Sequence, residues 1–249
     1  MRVVFLGTNG WYDTKTGNTL CTLIEAGDKF IVLDAGNGIH KLNRHIPRED
    51  ARQTFLFLSH FHLDHVEGLH TLNKSRLSKG LKIYGQEGTR SILNYLMNDP
   101  FSVPLSDMPY PVSINELPEN RHDVPFLEDF RFLLHSSRCL GYRFNIEGKI
   151  VAYCTDTGIC DNLIELAKDA DLLITECSFR FGQHSDHWPH LNPVDAVNVA
   201  KKANVKKMAL VHFDANRYPE LENRKEVYDR MIKEFDGLIV SYDDMEIEI

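Results

Sequence analysis

A cluster of metal-ligand side chains directly follows an apolar run in the first third of the chain. Residues 54–58 read Thr-Phe-Leu-Phe-Leu, and residues 59–65 read Ser-His-Phe-His-Leu-Asp-His. An apolar run that ends in H-x-H-x-D-H is typical of a buried strand that turns into a metal-binding loop. Imidazole nitrogen and carboxylate oxygen suit zinc best, and manganese or iron as alternatives. The segment therefore predicts a divalent metal site at the end of a strand.

The spacing of these side chains predicts two ions rather than one. In an extended segment alternate side chains share a face, so His60 and His62 can hold one ion while Phe61 points into protein. Asp64 and His65 follow past the turn and are better placed for a second ion. A catalytic zinc takes three protein ligands and keeps one position open, so four candidates favour a binuclear centre.

Length and composition limit the class of protein. The 249 residues contain no linker-like segment, so we expect a single hydrolase domain over residues 1–249. No apolar stretch approaches the roughly 20 residues of a membrane span. Five scattered cysteines without a C-x-x-C pair fit reduced thiols, and residues 1–7 fit a first strand better than a signal peptide. We therefore expect a cytoplasmic protein with no membrane contact.

Strand-like and helical patterns alternate along the chain. Strands are predicted at 2–6, 19–25, 29–34, 54–58, 81–84, 130–135, 140–146, 149–154, 171–175, 207–212 and 238–242. Helices are predicted at 87–97, 161–168, 193–203 and 221–235, and the third has Asn192 as N-cap and Pro193 as first helical residue. The proline-rich segment 98–125 is predicted to be a long loop, either a lid near the site or a surface excursion. Two packed sheets with helices outside would accommodate these elements.

Three further candidate ligands stand where apolar runs end. His135 closes the run 130–134, Asp156 follows the run 150–155, and His212 closes the run 208–211. A lone histidine at a strand end is more often structural. Three such ends together with the early histidine cluster favour metal ligation.

With these features the sequence resembles the metallo-β-lactamase superfamily, and within it the ribonuclease Z-like phosphodiesterases. The resemblance extends over nearly the whole chain. The metal motif points to the superfamily, and later segments point to the subgroup. The segments that carry it are 5–8 (F-L-G-T), 32–36 (V-L-D-A-G), 59–65, 135–137 (H-S-S), 141–144 (G-Y-R-F), 155–158 (T-D-T-G), 171–177 (D-L-L-I-T-E-C), His190 and the stretch from His212 to Tyr218.

The resemblance implies a fold and a ligand set. The fold is the metallo-β-lactamase-like α+β fold, a four-layer αββα sandwich with two metal ions at one edge of its two sheets. Asp34 would orient a ligand histidine, with a plain turn residue as the alternative. The ligands would be His60, His62 and His135 for the first ion, Asp64, His65 and His212 for the second, and Asp156 as the bridge between them.

The same resemblance implies hydrolysis of a phosphodiester by a metal-activated hydroxide. Asp64 would orient that hydroxide and accept its proton, and His190 would assist the leaving oxygen. The neighbouring His184 and His187 are expected to be solvated, with a separate H-x-x-H-x-x-H zinc site as a weaker alternative. A homodimer is expected by analogy alone.

One departure from the subgroup concerns transfer RNA. Short bacterial ribonuclease Z carries its RNA-gripping arm between the residues that match His135 and Asp156, and here only 20 residues separate these two. That spacing allows a hairpin, and the net charge of −8 argues against a broad basic surface. The leading prediction is a phosphodiesterase on a small or nucleotide substrate. The alternatives are an ester, thioester or lactone hydrolase, a tRNA 3′-processing endonuclease and, last, a non-catalytic binding module.

Overall fold

Two large sheets and one short parallel ladder make up the β-structure of the computed structural model, which describes all 249 residues. The strands are β1 Arg2–Gly7, β2 Asn9–Gly10, β3 Cys21–Glu25, β4 Lys29–Leu33, β5 Gln53–Phe57, β6 Leu81–Gln86, β7 Val112–Leu117, β8 Leu127–Phe132, β9 Leu140–Ile146, β10 Lys149–Cys154, β11 Leu172–Glu176, β12 Lys207–Val211, β13 Phe213–Asp214, β14 Leu238–Val240 and β15 Met245–Glu248.

Each large sheet combines antiparallel and parallel pairs. The first has the order β15-β1-β3-β4-β5-β6-β7 and is parallel from β4 to β7. The second has the order β14-β12-β11-β10-β9-β8 and is parallel from β10 to β14. The ladder joins β2 to β13. Parallel strands carry their carboxyl ends to a common edge, which is where ligands bind in open α/β sheets.

Alternation of side chains along the strands produces the layers. In β5, Phe55 and Phe57 pack into a hydrophobic cluster that also contains Tyr142 and Phe144 of β9, so this face meets the second sheet. Leu56, between them, packs into a different cluster with residues of the outer helices. A third cluster joins the outer face of the second sheet to its own helices. The predicted four-layer αββα sandwich is therefore confirmed.

The helices cover the outer faces of the two sheets. The α-helices are α1 Leu63–Val66, α2 Thr89–Leu96, α3 Asp161–Ala167, α4 Pro193–Lys202 and α5 Leu221–Met231, and 3-10 turns lie at Asn37–Arg44, Glu67–Lys74, Leu105–Asp107 and Arg121–Asp123. Helix α4 begins as predicted, because the Asn192 side chain accepts the amide hydrogens of Val194 and Asp195. None of these helices has both the length and the apolar character needed to cross a membrane.

The prediction for segment 98–125 is wrong in its central part. Strand β7 lies there and pairs in parallel with β6, with Ile114 opposite Ile83. Prolines 111 and 118 flank this strand, which is tolerated because β7 is an edge strand and begins just after the first of them. No residue of the segment lines the cavity described below, so it is not a lid in this structure.

Two further predictions near the site need correction. Strand β8 ends at Phe132, so His135 lies in a loop and not at the end of a strand as predicted. The amide of Leu133 donates a hydrogen bond to the carbonyl of Cys139, which closes this loop. Helix α1 begins directly after His62, where a loop was predicted. Between His135 and Asp156 the chain forms only the hairpin β9–β10, as predicted.

Candidate metal centre

The candidate ligands converge at the carboxyl ends of the strands. β5 leads into the histidine cluster of residues 60–65, β10 leads to Asp156, and β12 leads to His212. His135 lies in the loop after β8, which is an edge strand of the second sheet. All seven predicted ligands are thereby brought together, although they come from both sheets.

The carboxylate of Asp156 stands between two groups of histidines. Its Oδ2 lies 3.7 Å from Nε2 of His60 and 3.8 Å from Nε2 of His135. Its Oδ1 lies 3.3 Å from Nε2 of both His65 and His212. One oxygen faces each group, which is the arrangement that a bridging ligand requires.

These distances suit ligands that share an ion. Donor atoms about 2.1 Å from a tetrahedral zinc lie about 3.4 Å from one another, longer than most hydrogen bonds. Three groups of side chains have potential ligand atoms within 4.8 Å of one another. Two of them are His60, His62, His135 and Asp156 on one side and Asp64, His65 and His212 on the other, and the third is Asp156, His190 and His212. The first two groups match the predicted ligand sets, while ligation itself stays a prediction.

Unpaired ring nitrogens provide an independent test of metal fit. Nε2 of His60, Nε2 of His65 and Nδ1 of His135 are buried without a hydrogen-bond partner. Buried polar atoms are nearly always paired, because an unpaired one costs about 1–3 kcal/mol. The two Nε2 atoms lie on different oxygens of Asp156, where one divalent cation on each side would satisfy them. The residues present therefore fit a metal.

Hydrogen bonds at the opposite ring nitrogens orient two of these histidines. Nδ1 of His65 lies 2.8 Å from Oδ2 of Asp34, and Nδ1 of His212 lies 2.8 Å from Oγ of Ser178. The buried Asp34 also accepts a hydrogen bond of 2.6 Å from the hydroxyl of Tyr153. Such partners fix the tautomer that presents Nε2 to a metal. The structure gives Asp34 the orienting contact that the resemblance implied.

The electrostatics differ between the two groups. Burial lowers the pKa of His60 and His62, and it lowers the pKa of His135 to about 4, so these rings are neutral, the form that binds metals. Burial would also lower the pKa of His65, but the carboxylates of Asp156, Asp34 and Asp64 raise it well above its ordinary value. The carboxylates thus favour positive charge at this end of the cluster, which a divalent cation supplies.

Three of these residues adopt a left-handed backbone conformation one or two positions after the end of a strand. The φ angles are 58° at Asp34, 51° at Asp156 and 52° at His212. Few residues other than glycine adopt this region, although Asp and His do so more readily than most. Backbone strain of this kind concentrates at functional sites, where the surrounding structure holds it in place.

His190 forms a charged pair with Glu176 beside the cluster of candidate ligands. Nδ1 of His190 lies 2.6 Å from Oε1 of the buried Glu176, which also accepts the amide hydrogen of Thr157. Burial lowers the pKa of His190, but Glu176 outweighs it and the pKa rises to about 9. The ring is therefore protonated at neutral pH. Glu176 was not predicted, although it ends the apolar run of β11 and so carries the same strand-end signal as the ligands.

A cavity of about 250 Å³ opens onto this cluster. Its apolar walls, Trp11, Leu63 and Trp188, were not predicted, because nothing in their local sequence distinguishes them from surface residues. His184 and His187 are exposed and belong to none of the candidate ligand groups, which agrees with solvated side chains. The full lining is Trp11, His62, Leu63, Asp64, Asp156, Trp188, His190 and His212.

Several known proteins are similar to this chain. The probable metallo-hydrolase YhfI of Bacillus subtilis is 28% identical over 223 residues, which cover 86% of this chain and 87% of YhfI. Its crystal structure superimposes with a TM-score of 0.76 and 22% identity, over 100% of this chain and 99% of YhfI. The human short-form tRNase Z structure has a TM-score of 0.75 and 22% identity, over 100% and 99% of the two chains.

Ribonuclease Z of Bacillus licheniformis is 26% identical over an alignment that covers 100% of this chain and 99% of the relative. The alignment spans 310 positions, 61 more than the 249 residues here, so the relative contains insertions that this chain lacks. A family model described as the beta-lactamase superfamily domain matches residues 29–213. This match covers most of the chain and includes every candidate ligand. The chain therefore belongs to the metallo-β-lactamase superfamily of metal-dependent hydrolases, as its sequence predicted.

Proposed function

We propose that this protein is a phosphodiesterase with a binuclear metal centre formed by the seven predicted ligands. The observation that carries the proposal is the position of Asp156, with one carboxylate oxygen toward each histidine group. Ribonuclease Z, whose name describes cleavage of a phosphodiester chain, is among the relatives. Two divalent ions bound there would make water nucleophilic near neutral pH and would offset negative charge on a phosphoryl group.

The remaining groups have separate roles. The Oδ2 atom of Asp64 lies 3.2 Å from Nε2 of His212 and accepts the amide hydrogen of Trp11 at 2.7 Å. It lines the cavity, where it would orient the attacking water and accept its proton. His190 lies on the same cavity, and its Nε2 is the ring nitrogen that Glu176 leaves free. As a cation it would bind a phosphoryl oxygen and donate a proton to the leaving alkoxide.

The competing activities are less well supported. A metal pair can also polarise the carbonyl of an ester, thioester or lactone. A cationic His190 paired with Glu176 suits the anionic phosphodiester better than a neutral ester, since it adds charge complementarity in the ground state as well. Transfer RNA is disfavoured because only the β9–β10 hairpin lies where the RNA-gripping arm would be, and because the chain is acidic.

The proposal is tested by a substrate panel on protein loaded separately with zinc, manganese and iron, with metal content measured on the same sample. We expect hydrolysis of bis(p-nitrophenyl) phosphate and little turnover of thioesters and lactones.

The variant Asp156→Asn should lose more than about 100-fold in kcat/KM and should also bind less metal, because it removes the bridging charge. Asp229→Asn on the exposed face of α5 is the matched control. A panel in which thioesters turn over faster than phosphodiesters would refute the assignment.

A further inference from the structure

The cavity wall contains a row of aromatic rings that the proposed chemistry does not use. The ring of Trp188 lies parallel to His62, with centroids 5.6 Å apart and planes 9° apart. Trp11 stacks on Trp188 at 5.9 Å with an angle of 22°. These are the only two tryptophans of the chain, and 176 residues separate them in sequence. The fold brings both of them to the cavity that the candidate ligands line.

The position of Trp11 is costly for the folded protein. The residue is 54% exposed, and its backbone is in the left-handed region with φ of 74°, where a bulky side chain is a clear outlier. Strain of this kind destabilises the folded protein, and leaving an indole in water forgoes its burial. Stacking on Trp188 is a contact within the fold, but it still leaves more than half of the residue exposed.

The loop holds Trp11 rigidly despite this cost. Its amide hydrogen is donated to Asp64, so the indole starts next to the candidate ligands. The buried Asn9 donates to the carbonyls of Tyr12 and Gly17 on either side of the loop, and its own oxygen accepts from the buried Arg224. Because these bonds hold the loop backbone and the indole stacks on Trp188, less conformational entropy remains to be lost when a ligand binds.

The geometry restricts how a ligand ring can bind. A ring inserted between Trp11 and Trp188 would need the two indoles about 7 Å apart, twice a van der Waals contact of about 3.5 Å, and they are 5.9 Å apart. A flat ring would therefore extend the row on the face of Trp11 that points away from Trp188, in the cavity that the exposed apolar side chain of Leu63 also lines. The opposite end of the row is His62, in the first ligand group.

We infer that Trp11 and Trp188 form a stacking platform for an aromatic ring of the substrate, which identifies the substrate as a phosphodiester of a nucleoside. This inference rests on the proposed function. A nucleobase is the flat ring that phosphodiesters commonly carry, and stacking on aromatic side chains is tolerant of base identity. The two indoles offer faces and no pattern of donors for base edges, so purine and pyrimidine nucleosides should both be accepted.

The inference is tested by two substrates with the same leaving group. The p-nitrophenyl ester of thymidine 5′-monophosphate carries a base, whereas methyl p-nitrophenyl phosphate does not. The wild-type protein should prefer the nucleoside ester. Because stacking contributes about 1–3 kcal/mol per base, Trp11→Leu should reduce the ratio of the two kcat/KM values by about 5- to 150-fold. Trp188→Leu, which removes the ring that supports Trp11 from behind, should reduce the ratio by a smaller factor. Tyr12→Leu, which removes an equally exposed aromatic side chain outside the cavity, should keep the ratio.

A binding measurement separates this inference from the proposed function. Since the protein has no other tryptophans, fluorescence excited at a wavelength that tryptophan absorbs and its nine tyrosines do not reports on the platform alone. Adenosine monophosphate should quench it, and ribose 5-phosphate should not. Quenching by the nucleotide without hydrolysis of any phosphodiester would retain the platform and refute the activity. Hydrolysis with no preference for the nucleoside ester and no base-dependent quenching would retain the activity and refute the platform.

Discussion

At the scale of single residues, several side chains of the candidate site lie just past the end of a strand, at positions with a strained backbone conformation. Asp34, Asp156 and His212 each take a left-handed conformation one or two residues past a strand. The sequence predicted the candidate ligands, which the structure brings together, because a polar side chain at the end of an apolar run is a local signal; their binding of metal stays a prediction. The sequence did not predict Trp11 as a cavity residue, because its position depends on a loop conformation. It did not predict Glu176 as the partner of His190, because the two residues are 14 positions apart in the chain.

The proposed acid His190 gives the clearest prediction at this scale. His190→Ala should slow cleavage of a dinucleoside monophosphate, whose alkoxide leaving group needs a proton, by about 100-fold or more. The same variant should slow cleavage of a p-nitrophenyl ester by less than about tenfold, because p-nitrophenolate leaves without one. Steady-state kinetics on both substrates give the two values. His187→Ala, three residues away and exposed, is the control, and an equal loss on both substrates would contradict the role.

At the scale of elements, the strength of the local pattern decided which predictions were confirmed. Strands β9 and β10 were predicted with their observed bounds, and α4 was predicted to within one residue. Strand β7 was missed because prolines flank it and only Ile114 and Leu117 are buried, so its alternation is weak. The position of His135 was misjudged because β8 ends early. The loop that carries His135 is held by the bond from the Leu133 amide to the carbonyl of Cys139 and by the long-range bond from the Gly158 amide to the carbonyl of Leu134.

The cap of α4 gives a prediction at this scale, because it also fixes the segment that carries Trp188. Asn192 caps the helix through Val194 and Asp195, and its amide group donates to the carbonyl of Gln183 at 3.2 Å. Asn192→Ala should lower the free energy of unfolding by about 1 kcal/mol.

Denaturant titration measures that change. Asn192→Ser retains a capping oxygen and should lose less stability, although its shorter side chain cannot reach Gln183 in the same way. Equal stability of the alanine variant and the wild-type protein would show that the cap contributes nothing.

At the scale of the whole molecule, the four layers follow from strands that bury both faces. The predicted strands and helices were compatible with two packed sheets, and the superfamily resemblance supplied the order of the layers, which the structure confirms. Register between the sheets could not be predicted, since it depends on contacts between distant residues such as Phe57 and Phe144. The single domain, the cytoplasmic location and the homodimer stay predictions.

Arg52 connects distant parts of the first sheet and makes stability depend on pH. Its guanidinium contacts Asp50 at 2.7 Å and Glu25 at 2.9 Å, and it donates to the carbonyl of Ala26 at 3.0 Å. Hydrogen bonds from Arg52 lower the pKa of Asp50. Burial raises the pKa of Glu25, but the bonds from Arg52 and Arg2 outweigh it and lower that pKa as well.

A carboxyl whose pKa is depressed by folding stabilises the protein above its unfolded pKa, and this stabilisation is lost as pH falls through the folded pKa. Arg52→Met should therefore lower the free energy of unfolding by about 1 kcal/mol at pH 7, a modest value because the pairs are partly exposed to solvent. The difference from the wild-type protein should shrink below about pH 4, where both carboxyls begin to protonate in either protein. Urea titrations across this pH range measure the difference.

Arg48→Met, which removes an exposed arginine without hydrogen bonds or ion pairs, should leave the free energy of unfolding unchanged at every pH. A loss in Arg52→Met that is the same at pH 7 and pH 3 would mean that Arg52 stabilises the fold through its packing on Phe30 instead of through the carboxylates.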